Sequence, residues 1–137
     1  MDSLIIPIKQ EYAEEILGGR KTVEFRRRFN PKYRKRAIVF YVTKPIRQVL
    51  FYGVVKRVFK GLVGDLWTCY RKEGGIEESV FDKYFQGCSI GYAIVLEQVT
   101  ELKRPFKLED LKKIGIKSFQ SHRSITKEQF TLITGVE

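Results

Sequence analysis

Apolar and polar positions alternate along this chain with two distinct periods, and the switches between them mark the elements. Leu4 to Ile8 is a short apolar run stopped by Pro7 and Lys9, which predicts a strand. In QEYAEEILGG, Tyr12, Ala13, Ile16 and Leu17 recur at helical spacing while Glu11, Glu14 and Glu15 point elsewhere, so an amphipathic helix follows, ended by Gly18 and Gly19. From Lys21 to Arg28 the period becomes two, with Val23 and Phe25 on one face and Thr22, Glu24, Arg26 and Arg28 on the other, as in a half-buried strand. Asn30 and Pro31 then signal a turn into the basic loop NPKYRKR.

Ala37 to Val42 is dense in β-branched and aromatic residues and predicts a strand. A longer strand is expected from about Arg47 to Phe59, with Gly53 near its middle suited to a bulge or sharp bend. Leu62, Val63, Leu66, Trp67 and Tyr70 define a second helix and Ile76, Val80, Phe81, Tyr84 and Phe85 a third, split by a Gly74–Gly75 turn; both stripes read as core. Ser89 to Val99 is apolar on both faces and is expected to be the most buried strand. Pro105 opens a short helix through Leu108, Leu111 and Ile114, and in the less periodic tail from Ile116, Thr126 and Gln129 match a capping box.

Strands grouped together with helices inserted between them indicate an α+β fold. About five strands with a mid-strand glycine fit a small curled β-barrel flanked by helices. At 137 residues one domain is expected over 1–137, its core at about 4–120 and a tail at 121–137. No long uncharged apolar run spans a membrane, and the start MDSLIIPIKQ lacks the basic and apolar regions of a secretory signal, so the chain reads as cytoplasmic. Two cysteines, Cys69 and Cys88, and one histidine, His122, form neither a metal knuckle nor a nucleophile triad, and no metal or cofactor is expected.

Charge changes the picture once it is located. The net charge is +10, and nine basic residues (Arg20, Lys21, Arg26, Arg27, Arg28, Lys32, Arg34, Lys35 and Arg36) crowd into the segment from Arg20 to Arg36 against the single acid Glu24. A basic excess confined to one segment is the footprint of a polyanion site, because cations that neutralise phosphates release condensed counterions. Phe29 and Tyr33, interleaved with the arginines, suit stacking on bases and equally suit the end of a barrel core.

Gly19, Lys21, Glu24 and Arg26 spell GxKxxExR directly after the first helix. This pattern, with its leading strand, the strand ending in TKPI and a late helix before GYAIVLEQV, resembles the ASCH domain, a branch of the PUA-like superfamily of small β-barrels. The resemblance implies a cleft beside the motif and relatives that bind RNA or recognise altered bases. Lys21, Glu24 and Arg26 are then expected in the cleft, with Arg27, Arg28, Lys32, Arg34, Lys35 and Arg36 holding a nucleic-acid backbone. Strict alternation puts Lys21 on the face opposite Glu24; the two meet only if Lys21 belongs to a turn preceding the strand. A purely structural ion pair of Glu24 with Arg26 is the plainer reading of the same residues.

The resemblance also implies two alternatives to binding of RNA or a modified nucleotide. Some small ASCH proteins are amidohydrolases acting on acetylated cytidine through a lysine, a threonine and a glutamate. Here Lys21 matches the lysine, Glu24 stands where the threonine belongs, Thr22 is only a neighbour, and Glu73 in the RKEGG turn is the candidate glutamate. A lysine acting as base must shed a proton, which a carboxylate beside it disfavours. The other alternative is a transcription-associated module that docks an acidic protein partner on the loop Pro31 to Arg36.

Overall fold

Alternation along two parallel strands builds the centre of the molecule. In β1 (Ser3–Ile8), Leu4, Ile6 and Ile8 join one core cluster while Ile5 joins a second on the other face; in β3 (Ala37–Val42), Ile38, Phe40 and Val42 join the first while Val39 and Tyr41 join the second. A parallel pair covered on both faces has no polar side to show water, hence its unbroken apolar run. The structure, a computed structural model, describes residues 2–117 and 121–137; residues 118–120, part of the stretch read as an aperiodic tail, lie outside the described residues.

Helix α1 (Gln10–Leu17) contributes Ala13 and Ile16 to the first cluster. Beyond it come β2 (Val23–Arg26), a 3-10 turn at Pro31–Tyr33, and β4 (Gln48–Leu62). Next are α2 (Val63–Tyr70), α3 (Glu78–Tyr84), β5 (Ile90–Lys107), α4 (Leu108–Lys113), β6 (Arg123–Ile125) and α5 (Lys127–Thr134). Leu111 of α4 and Ile133 of α5 enter the second cluster. A third cluster packs Leu66, Phe81 and Phe85 of α2, α3 and the residue after it against Val23, Phe25 and Ala93. No helix among the described residues is long and apolar enough to cross a membrane.

The expected α+β class is observed, and the expected barrel is in fact an open, curled sheet. Its six strands run in the order β2-β5-β4-β3-β1-β6, leaving β2 and β6 as edges. Those edge strands are four and three residues long, too short to close a ladder. From β2, Arg26 Nη2 donates to Ser121 Oγ at 3.3 Å, just before β6.

Gly53 lies at a register shift between Tyr52 and Val54, the bulge its position suggests. The strand expected to end at Val99 continues to Lys107 and is not the most buried: Ile90 and Val99 are exposed, whereas β3 buries every residue after Ala37. The reason is length, since an 18-residue strand outruns the clusters that cover its middle. Pro105 therefore opens no helix. It falls where the register with β4 jumps from Phe51↔Glu101 to Val49↔Phe106, a stretch in which proline's missing N–H forfeits no bond to β4.

Candidate functional site

The motif begins in the turn that closes α1. The amides of Arg20 and Lys21 both donate to Glu15 O at 3.0 Å, and Gly19 takes φ +77°, so Lys21 precedes the regular strand rather than alternating within it. Its side chain consequently turns inward, with no exposed area. The three protons of its ammonium have three protein acceptors: Val23 O at 2.8 Å, Gly74 O at 2.5 Å and Glu24 Oε1 at 3.3 Å. Aromatic rings of Tyr12 and Phe25 lie 5.6 and 5.8 Å from it. The Lys21 side chain thus has its partners within the protein and does not line the cleft described below.

The Gly74–Gly75 turn supplies the roof of this buried lysine. A Cβ on Gly74 would overlap the Phe25 ring, and Gly75 takes φ +58° with Lys21 Cβ only 2.8 Å from where its own Cβ would stand. Glu73 enters through its backbone alone: its carbonyl accepts from the amides of Thr22 and Val23 at 2.9 and 3.1 Å, while the residue is exposed. Thr22 is likewise exposed, and neither residue lines the cleft described below.

Glu24 and Arg26, alternate residues of β2, do share a face, and both side chains are mostly buried, with 13% and 14% exposed. Arg26 Nη1 stands 3.9 Å from Glu24 Oε2, so one carboxylate oxygen faces the lysine and the other the arginine. Together they form part of the wall of a cavity of about 350 Å³. Phe25 between them, the end of β1 (Pro7, Ile8), Lys9, Tyr12 of α1, and Ile76, Val80, Lys83 and Tyr84 on and beside α3 complete it. The Tyr12 hydroxyl is raised above its ordinary 10, by burial first and then by the negative charges of Glu11, Glu24 and Glu77, and it remains a hydrogen-bond donor at neutral pH.

Pro7, Arg26 and Tyr84 are also walls of a second recess, which adds Arg27, Arg28, Cys88 and Ser121. The two cavities thus adjoin, one mostly apolar with a carboxylate in its wall, the other lined by three consecutive arginines. Arg27 is held there by its own amide, which donates to Tyr84 Oη at 3.1 Å, and by its guanidinium lying 4.7 Å from the Tyr84 ring centre.

The basic cluster read from the sequence is divided by the fold. Lys32, Arg34, Lys35 and Arg36 line neither cavity. Lys32 lies 5.1 Å from the Tyr33 ring, Lys35 pairs with Glu97 at 3.7 Å, and Arg36 donates to Asp2 O at 3.0 Å; Arg34 is exposed. Phe29 and Tyr33, candidates for stacking, are core residues, 4% and 8% exposed.

Beyond the motif, the cleft uses residues the sequence pattern concealed. Val80 and Tyr84 sit on a helical stripe that reads as core and Tyr12 on the apolar face of the first helix, and only their neighbourhood in space separates them from true core members such as Phe81. His122 lies against Phe29 with ring centres 5.6 Å apart and tilted, and its buried Nδ1 has no hydrogen-bond partner among the described residues. Burial first, then the positive charge of Arg26, lowers its pKa below the ordinary 6.5. No group of three potential metal ligands assembles among the described residues.

Comparison with known proteins places this geometry in context. The ASCH domain matches residues 6–133, running past the expected core into α5. An ASCH domain-containing ribonuclease from Zymomonas mobilis is 33% identical over 122 residues, covering 89% of this chain and 81% of the relative. The crystal structure of ASCH from Zymomonas mobilis superposes with a TM-score of 0.90 at 29% identity, over 98% of this chain and 94% of that one. A tyrosine-to-phenylalanine variant from the same organism gives 0.91 at 28% identity over 99% of each. The N-terminal domain of Staphylothermus marinus McrB, 11% identical with a TM-score of 0.63, shares the fold alone.

Proposed function

This chain belongs to the ASCH domain family, and from that premise we propose that it binds single-stranded RNA across the two adjoining cavities. One observation carries the reading: the paired Glu24 and Arg26 stand in the wall of a cleft that runs on into a recess of three arginines. A cleft of about 350 Å³ is on the scale of a small-molecule site and admits a base, not a helix. A splayed-out base enters it against Tyr12 and Tyr84, and the phosphates on either side lie along Arg27 and Arg28. Lys21 acts through Glu24, fixing its carboxylate from behind. The ribonuclease relative supports RNA as the polymer.

The test is fluorescence anisotropy with a labelled single-stranded RNA of about ten nucleotides at several salt concentrations. Two arginine–phosphate contacts, from Arg27 and Arg28, give log K a slope against log[salt] of about −1.4, at roughly −0.7 per phosphate on a single strand. Binding that ignores salt, or equal binding by an Arg26→Ala, Arg27→Ala, Arg28→Ala variant, would overturn the proposal.

The description of that relative favours a second reading, in which the bound strand is cut. His122, next in the chain to Ser121 of the recess and with its pKa lowered by burial and then by Arg26, takes the proton of a ribose 2′-hydroxyl as it attacks the adjacent phosphorus; the P–O5′ bond breaks, the departing O5′ takes a proton from water, a 2′,3′-cyclic phosphate remains, and Arg26 neutralises the charge on phosphorus. Incubation with end-labelled RNA then yields shorter products, and a strand deoxy at the cut nucleotide stays whole. Cutting of both strands alike would contradict this chemistry.

A further inference from the structure

We propose that the cleft selects guanine, read by Glu24 and Arg26 together. The inference rests on the RNA-binding reading and adds which base that site accepts. Its starting point is the orientation of one carboxylate. Glu24 Oε1 receives the buried Lys21 ammonium at 3.3 Å and Oε2 faces the Arg26 guanidinium at 3.9 Å, so the carboxylate is anchored at one oxygen and has a cation beside the other, and each oxygen has a lone-pair site left for the cavity in whose wall the residue stands.

The Watson–Crick edge of guanine carries N1–H and the 2-amino group side by side, two parallel donors that match the two oxygens of a carboxylate, with the O6 acceptor next in line. Arg26, adjacent to Oε2 on the same face of β2, is the donor for O6. No other base fits this order. Adenine and cytosine set one amino donor beside a ring nitrogen whose lone pair would face a carboxylate oxygen, and uracil sets one N–H between two carbonyls. A site whose polar groups are held in place rejects a ligand that leaves them unpaired far more strongly than it rejects a change of size.

Lys21 is the positioning residue of this device. Because its three protons are all taken by the protein, it cannot compete for the base, and it holds the carboxylate in register before any ligand arrives. Tyr12, whose hydroxyl keeps its proton, adds a donor and an aromatic surface to the same cavity.

The experiment measures anisotropy of uridine pentanucleotides whose central position is guanine, hypoxanthine, adenine, cytosine or uracil. The guanine strand binds tightest. Hypoxanthine keeps N1–H and O6 but loses the 2-amino group, which weakens binding about tenfold, and the remaining bases bind at least tenfold more weakly than guanine. Glu24→Gln retains an oxygen toward Lys21, lets the chain fold, and brings guanine and adenine to within about twofold while the salt slope stays. Equal affinity for all five strands with a steep salt slope overturns the guanine assignment and leaves RNA binding standing. Preference for adenine, cytosine or uracil overturns it too, and absence of binding by every strand overturns both readings.

Discussion

Lys21 Nζ and Glu24 Oε1 meet 3.3 Å apart across the turn into β2, the lysine with no exposed side-chain area and the glutamate open to the cleft. The pair joins interior to site: the ammonium is anchored on two backbone carbonyls, and the carboxylate takes its direction from the ammonium.

That arrangement makes Lys21 a stability residue. Lys21→Ala removes the partner of a mostly buried carboxylate and strands the carbonyls of Val23 and Gly74. Breaking a buried pair from one side costs about 3 kcal/mol or more, a fall of roughly 10 °C in Tm for a domain of this size. Thermal melts of Lys21→Ala and wild type check this, and unchanged melting would mean that the ammonium is not held as described.

Gly75 is predicted to resist substitution. An alanine there must adopt φ +58° and meet the Lys21 side chain at 2.8 Å, so Gly75→Ala costs about 2 kcal/mol and shifts the neighbouring Gly74 carbonyl from the ammonium. Denaturant unfolding measures the loss, and oligonucleotide binding by the folded fraction measures the loosened Glu24.

The fold puts the two halves of the basic cluster in different places, Arg26–Arg28 in the recess and Lys32, Arg34, Lys35 and Arg36 outside both cavities. Arg27→Ala with Arg28→Ala removes cations from the recess, and the salt slope of RNA binding becomes shallower by about 1.4. Alanine at Arg34, Lys35 and Arg36, which line neither cavity, leaves the slope within about 0.5 of wild type. Anisotropy titrations at three salt concentrations compare the two variants, and the reverse ranking would move the phosphate track to the loop.

His122 sets a pH dependence of stability. Its folded-state pKa lies below the unfolded value near 6.5, because burial, and then Arg26, disfavour the imidazolium. Above pH 6.5 both states are neutral and the group contributes nothing. As pH falls below 6.5 the unfolded chain takes up a proton that the native chain refuses, so stability drops until the folded pKa is reached. Melts between pH 7.5 and 5 should show a smaller decline for His122→Gln than for wild type; parallel declines would exclude this residue as the cause.

Much of the framework was legible because it is local. The alternation of Val23 and Phe25 against Glu24 and Arg26 gave the correct face of β2, and the capping box at Thr126 and Gln129 forms with both its bonds at the start of α5. The continuation of β5 through Pro105 was hidden because proline argues for a strand's end unless its N–H is unneeded there, which only the register with β4 reveals. β6 is three residues long and shows no period.

The site divides in the same way. That Lys21 meets Glu24 only from a preceding turn followed from the strand period, but the acceptor 53 residues away in Gly74 did not, since no spacing in sequence encodes a contact between α1's closing turn and the loop before α3. Nor does the basic run from Arg20 to Arg36 say which cations share a surface. The chain buries Phe29 between the two groups and Tyr33 within the second, and Arg26–Arg28 line a recess that Lys32, Arg34, Lys35 and Arg36 do not.

The location of the RNA is the claim on which the rest stands. It is tested by following backbone amide resonances of isotope-labelled protein while a single-stranded pentanucleotide is added. The largest shifts should fall on Tyr12, Glu24 to Arg28, Ile76, Val80 and Tyr84, the residues around the two cavities. Shifts confined to Lys32 through Arg36, with the cleft residues unmoved, would contradict the account.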